Sequence, residues 1–133
     1  MSQAGDTVPL VEEITDQTGM YTALAQAKSR PLLACFSASW CQPCRAFAPK
    51  LERLAKQYCQ VVFVKLDVDK MKDLANQHGV EVLPTFVLFK NGYRVGSVSG
   101  TVDGKIEALL SSHGTYPIGP GGFWMTAYDP SIY

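Results

Sequence analysis

The chain has 133 residues with 12 basic and 12 acidic side chains, giving a formal net charge of zero. That length suits one domain with a real core, and balanced charge without a basic stripe argues against nucleic acid or an anionic membrane surface as partner. No apolar run approaches bilayer-spanning length, and four cysteines in a chain of this size point to thiol chemistry rather than to a disulfide scaffold.

Taken in chain order, Met1 to Asp6 is polar and lacks the cationic and apolar regions of a secretory signal, so the expected location is the cytoplasm. Thr7 to Ile14 carries β-branched residues and predicts a short first strand. Thr15 or Asp16 can cap a helix whose apolar face includes Met20, Leu24 and Ala27. The run Pro31 to Phe36 reads as a buried strand, and a long helix is predicted from about Cys41 to Tyr58. Gln60 to Val68 is nearly all apolar and predicts a central strand covered on both faces. A helix from about Met71 to Gln77 should stop at Gly79. Thr85 to Phe89 and Tyr93 to Val98 read as strands joined through Asn91-Gly92, a strong hairpin signal. Val102 to Leu110 predicts the last helix. The order β-α-β-α-β-α-β-β-α implies an α/β fold, with parallel strands joined by helical crossovers, an antiparallel hairpin, and helices on both faces of a mixed sheet.

Trp40-Cys41-Gln42-Pro43-Cys44 is the most informative segment. It lies where a strand hands over to the first turn of a helix, and a CxxC beside a β-α-β pattern reads as a redox dithiol. A helix N-terminus carries unpaired N–H groups and partial positive charge, which favours the thiolate of Cys41 as the nucleophile. Cys44, one turn further in, is expected to be the more buried and to act second. Metal binding is disfavoured: a structural zinc site needs four ligands, usually in close pairs, whereas Cys35, Cys59, His78 and His113 are each isolated.

From about Val8 to Leu110 the chain resembles the thioredoxin family. The matching residues are Phe36-Ser37-Ala38-Ser39-Trp40-Cys41-Gln42-Pro43-Cys44-Arg45, Ala48-Pro49, Val64-Lys65-Leu66-Asp67-Val68-Asp69, Val82-Leu83-Pro84-Thr85-Phe86, Gly92 and Gly100. The resemblance implies the thioredoxin fold and protein-disulfide reduction, with no cofactor beyond a redox-active Cys41–Cys44 disulfide. Its implied partners are protein disulfide substrates and an electron donor, either a reductase or a small dithiol, and the implied state is a monomer. By position, Cys41 attacks the substrate disulfide and Cys44 resolves the mixed disulfide. Trp40 borders the docking surface, Leu83 offers backbone to the bound substrate, and Pro84 resembles the family's cis-proline facing the dithiol. Pro43 tunes the loop, and Lys65 places a charge behind it.

Two positions depart from the family. Cys35 stands where a buried aspartate usually helps the second cysteine lose its proton; a buried cysteine is a small hydrophobe and a poor proton acceptor. Slow resolution and a long-lived mixed disulfide are therefore expected, and core packing is the first reading of Cys35, a third redox thiol the second. Gln42 replaces a glycine between the cysteines, and small local changes matter because about 30 mV corresponds to about 1.4 kcal/mol for a two-electron couple.

Cys59 reads as a partly exposed spectator, and His78 as a helix C-terminal residue suited to the dipole. The domain is expected over residues 1–112. Residues 113–133 form a Gly/Pro/aromatic tail in which Phe123, Trp124, Met125 and Tyr128 could anchor a partner. That tail supports an alternative reading, a redox-sensitive binding or adaptor module.

Overall fold

The computed structural model describes residues 10–118. The proposed signal-free start Met1–Asp6, the first residues of the predicted opening strand, and the aromatic tail residues Phe123, Trp124, Met125 and Tyr128 lie outside them.

Nine elements follow the predicted order: β1 (Val11–Ile14), α1 (Gln17–Ala27), β2 (Leu32–Ser37), α2 (Gln42–Gln57), β3 (Val62–Asp67), α3 (Lys72–Gln77), β4 (Thr85–Lys90), β5 (Tyr93–Ser99) and α4 (Lys105–Ser112). The sheet order is β1-β3-β2-β4-β5. β1 and β2 run parallel to β3, and β4 runs antiparallel to β2 and β5.

Period-2 alternation divides each inner strand between two cores. On one face Leu32, Ala34 and Phe36 of β2 meet Met20, Ala23 and Ala27 of α1 and Leu74 and Ala75 of α3. On the other, Leu33 and Cys35 of β2 and Phe86 and Leu88 of β4 meet Phe47, Leu51 and Leu54 of α2 and Ile106 and Leu110 of α4. All six residues of β2 are buried. Burying one such Leu or Phe fully is worth about 1.5–3 kcal/mol, so this strand is a large part of what holds the helices to the sheet.

Three expectations need correction. β2, not β3, holds the middle of the sheet; β3 lies one place from the edge, with Val62, Lys65 and Asp67 half-buried. The four residues of β1 give β3 its outer neighbour but leave its polar positions open to a groove. The last helix starts at Lys105 rather than Val102, because Gly104 adopts φ 85° at its N-cap, a left-handed conformation that breaks helical continuity. His78 caps the end of α3, but it does not serve as a cation on the dipole. Burial first, and the Arg94 charge second, hold its pKa below the ordinary 6.5.

The chain turns as its residues require elsewhere. The Asp16 carboxylate caps α1 by accepting from the Gly19 amide at 2.7 Å. Asn91 and Gly92 take φ 54° and 82°, the paired positive values of a tight hairpin. Beyond α4, residues 113–118 stay on the domain. Thr115 is buried with its hydroxyl donating to the Leu110 carbonyl at 2.7 Å, the Gln60 side chain donates to the Tyr116 carbonyl at 3.1 Å, and the Ile118 amide donates to the Gln57 carbonyl at 2.8 Å. Among the described residues no helix is long and apolar enough to cross a membrane.

Candidate active site

Topology brings the predicted site residues to one end of the sheet. β2 ends at Ser37, and the chain runs through Ala38, Ser39 and Trp40 into the N-cap of α2, which is Cys41. β4 is antiparallel to β2, with Thr85 paired to Phe36, so Pro84 enters at the same end as the dithiol. Strand carboxyl ends are where open α/β sheets place their sites.

Cys41 and Cys44 form a disulfide with Cα atoms 5.3 Å apart, within the usual range. The Cys44 amide donates to Cys41 Sγ at 3.2 Å, so the sulfur itself occupies the capping position and meets an otherwise unpaired helix N–H. Pro43 sits in the first turn, where a missing N–H costs nothing. The burial order is the reverse of expectation. Cys41 is 4% exposed, whereas Cys44 is half-buried. As the N-cap, Cys41 is covered, with its amide donating to the Ala38 carbonyl at 3.1 Å, while Cys44, one turn on, lines a groove.

Trp40 is 65% exposed, with its indole N–H donating to Asp69 Oδ2 at 2.8 Å. That bond fixes a large apolar face at the surface beside the dithiol. Val82, also exposed, precedes half-buried Leu83 and buried Pro84. The Leu83–Pro84 bond is cis. The Pro84 carbonyl accepts from the Gly100 amide at 2.8 Å, and the Thr85 hydroxyl donates to the Val82 carbonyl at 2.5 Å, so both ends of this turn are held.

Arg45 holds the loop from the other side. Its guanidinium donates to the Ser39 carbonyl at 2.6 Å and to the Gln42 side-chain oxygen. Gln42 is thus an exposed residue engaged with its own helix. Behind the disulfide lies a groove of about 530 Å³, lined by Cys44, Arg45 and Glu52 of α2, Cys35 and Ser37 of β2, Lys65 and Asp67 of β3, Glu13 of β1, and Pro84, among others. Cys35 pairs in register with Lys65, which pairs with Glu13. Burial pushes the Cys35 thiol up from 9.0 to about 12, against the opposing pull of the Lys65 charge. Cys35 is therefore a neutral wall residue.

The structure gathers Cys35, Trp40, Cys41, Gln42, Pro43, Cys44, Lys65, Leu83 and Pro84 around this end of the sheet. Cys59 is free and exposed beyond the opposite end of α2, outside the group. Sequence reasoning missed the parts played by Arg45, Asp67 and Asp69. All three were inside the matching motifs, but their partners are set by packing and register. Among the described residues no group of three or more His, Cys, Asp or Glu could hold a metal ion.

The thioredoxin family model matches residues 11–112. The chain is 40% identical over 104 residues to thioredoxin of Echinococcus granulosus, covering 77% of this chain and 97% of that protein. It is 36% identical over 102 residues to thioredoxin of Homo sapiens, with coverage of 77% and 97%. The X-ray structure of Fasciola hepatica thioredoxin superposes with a TM-score of 0.74 at 34% identity, covering 77% of this chain and 99% of that one. A disulfide-forming CxxC at a helix N-terminus, on a five-stranded sheet that these relatives share over nearly their whole length, leaves no ambiguity: the chain belongs to the thioredoxin family and is a thiol–disulfide oxidoreductase.

Proposed function

We propose that the protein reduces protein disulfides in two steps, with Cys41 as the attacking thiol and Cys44 as the resolving thiol. The Cys41 thiolate attacks one sulfur of the substrate disulfide; a mixed disulfide forms and the other substrate sulfur leaves as a thiolate. Cys44 then attacks the Cys41 sulfur, the second substrate thiolate departs, and the Cys41–Cys44 disulfide remains. The single observation that carries this reading is the Cys41 sulfur at the α2 N-cap, where the Cys44 amide points at it. A thiolate at that place meets an unpaired donor and the positive end of a 16-residue helix.

The exposed face of Trp40 and the Val82-Leu83-Pro84 turn flank the dithiol and would seat a substrate segment, with Leu83 supplying backbone groups. Pro43 and Gln42 shape the loop between the sulfurs, and Lys65 sets the charge behind it. The redox centre is the cysteine pair itself and calls for no separate cofactor. A reductase or a small dithiol returns it to the reduced state. The free thiols Cys35 and Cys59, one of them exposed, suit a reducing compartment such as the cytoplasm, and the balanced charge offers no basic surface for a nucleic-acid partner.

Insulin disulfide reduction driven by dithiothreitol tests the assignment. The wild type should accelerate the reaction, Cys41→Ser should abolish the acceleration, and Cys44→Ser should accumulate a mixed disulfide on Cys41. A folded wild type no faster than dithiothreitol alone, or an active Cys41→Ser variant, would overturn it.

A further inference from the structure

The resolving step requires Cys44 to lose a proton, and the acceptor must lie where the thiol can reach it, directly or through water. A groove of about 530 Å³ lies behind Cys44 and brings ionisable groups to that side of the dithiol. The charged and titratable groups facing it are Arg45 and Glu52 from α2, Cys35 from β2, Lys65 and Asp67 from β3, and Glu13 from β1. Arg45 and Lys65 are cations and accept nothing. The buried Cys35 thiol stays protonated.

Three carboxylates remain, and register separates them. Glu13 lies level with Lys65 and Cys35 in the sheet, two strand spacings from β2, or about 9.5 Å. Glu52 is exposed, eight residues along α2 from Cys44, about 12 Å by helical rise. Asp67 pairs with Ser37, the last residue of β2 before the loop into Cys41. It is two residues beyond Lys65 on the same face, some 6–7 Å nearer the dithiol end. It is half-buried, and it is firmly placed. Its Oδ1 accepts from the Asp69 amide at 2.8 Å, and its carbonyl accepts from the Lys70 and Met71 amides at 3.0 Å each.

We infer that Asp67 is the proton-accepting positioning residue for Cys44, acting through the groove. This assignment rests on the two-step reductase reading above. The Cys44 S–H proton passes to the Asp67 carboxylate, by way of water in the groove. The Cys44 thiolate attacks the Cys41 sulfur, the Cys41–substrate S–S bond breaks, and the substrate leaves as a thiolate. The proton then goes out through the groove mouth to solvent. The long-lived mixed disulfide expected from Cys35 belongs, on this assignment, to a chain lacking Asp67.

The sign of the effect distinguishes an acceptor from a mere charge. A nearby carboxylate disfavours a thiolate, so if Asp67 acted only through its charge, removing that charge would speed resolution at neutral pH. If it accepts the proton, removal slows it. The test uses the full chain carrying Cys59→Ser, reduced and mixed in a stopped-flow instrument with 5,5′-dithiobis(2-nitrobenzoate). The first thionitrobenzoate released reports attack by Cys41, and the second reports resolution by Cys44. Asp67→Asn keeps an oxygen for the Asp69 amide. It should slow the second phase at pH 7 on the order of 100-fold, the lower end of general-base effects, and leave the first phase unchanged. The deficit should close as pH approaches the range where the thiol ionises unaided, and Asp67→Glu should retain most of the rate. A second phase that is unchanged or faster in Asp67→Asn would overturn the assignment, as would equal slowing of both phases at every pH. A wild type that releases no second equivalent overturns the reductase reading, and this assignment with it.

Discussion

Cys35 shows how one side chain changes its meaning between sequence and structure. Beside a CxxC, a third cysteine invites a redox role, yet this one is 4% exposed on the middle strand and its thiol is held up at about 12. Because the folded pKa lies above the unfolded value, its contribution is complete below pH 9. As pH rises the unfolded chain ionises first, so stability falls through the window from about 9 to 12. Denaturation at pH 8 and pH 10 should show that loss in the wild type and a smaller one in Cys35→Ala. Equal losses would show that Cys35 does not carry the alkaline slope. In the reduced native protein at pH 7.5, iodoacetamide should modify exposed Cys59 and leave Cys35 untouched until unfolding. His78 carries the opposite dependence. Its rings of contact are Phe36 and Phe89, with centroids 6.1 and 5.3 Å away, and Arg94 lies alongside. With its folded pKa depressed, the stabilising contribution is present above 6.5 and is lost as pH falls through the lower folded value. An NMR titration should place the His78 midpoint below 6.5, and a midpoint at or above that would contradict the burial argument.

Among the elements, the legible ones were those whose signals are local. The Asp16 cap, the Asn91-Gly92 hairpin and the Gly79 stop each depend on a few adjacent residues, and each is where the sequence put it. The start of α4 was misplaced because nothing in Val102-Asp103-Gly104 distinguishes a first helical turn from a glycine-broken approach to one until the packing of Ile106 and Leu110 fixes the register. The centrality of β3 was misjudged for a related reason. An apolar run reports burial, but Lys65 and Asp67 open onto a groove that exists only because α2 spans β2 and reaches toward β1. The reversed burial of Cys41 and Cys44 has the same origin, since a cap residue's depth depends on what its preceding loop packs against. Local signals also carry local energies. Asp16→Ala should cost about 1 kcal/mol, read as a shift in the urea midpoint with unchanged slope; no shift would mean that the bond to the Gly19 amide contributes nothing net.

For the whole molecule, one sheet with helices on each face gives two separate cores that share the same strands. Phe86 is completely buried on the α2/α4 side and packs at a tilt, ring centroids 5.4 Å apart, against Phe47 of the helix that carries the dithiol. Phe86→Ala should therefore destabilise by about 3–5 kcal/mol and should also loosen α2 against the sheet, seen as faster amide exchange along that helix. Exchange rising equally everywhere would place the loss in global stability alone. The fold could be read from the order of elements, and the dithiol from its motif, whereas the groove and its carboxylates needed strand register, which no linear spacing displays.

The tie between the Ile118 amide and the Gln57 carbonyl has a practical side. It fastens the outgoing chain to the far end of a 16-residue helix whose near end is Cys41, about 24 Å away by helical rise. The helix thus serves as a spacer bar. A molecule held by a handle joined just beyond Ile118, on a bead or a sensor chip, would present its reactive sulfurs away from the support, and its face for incoming proteins would stay clear of the attachment point.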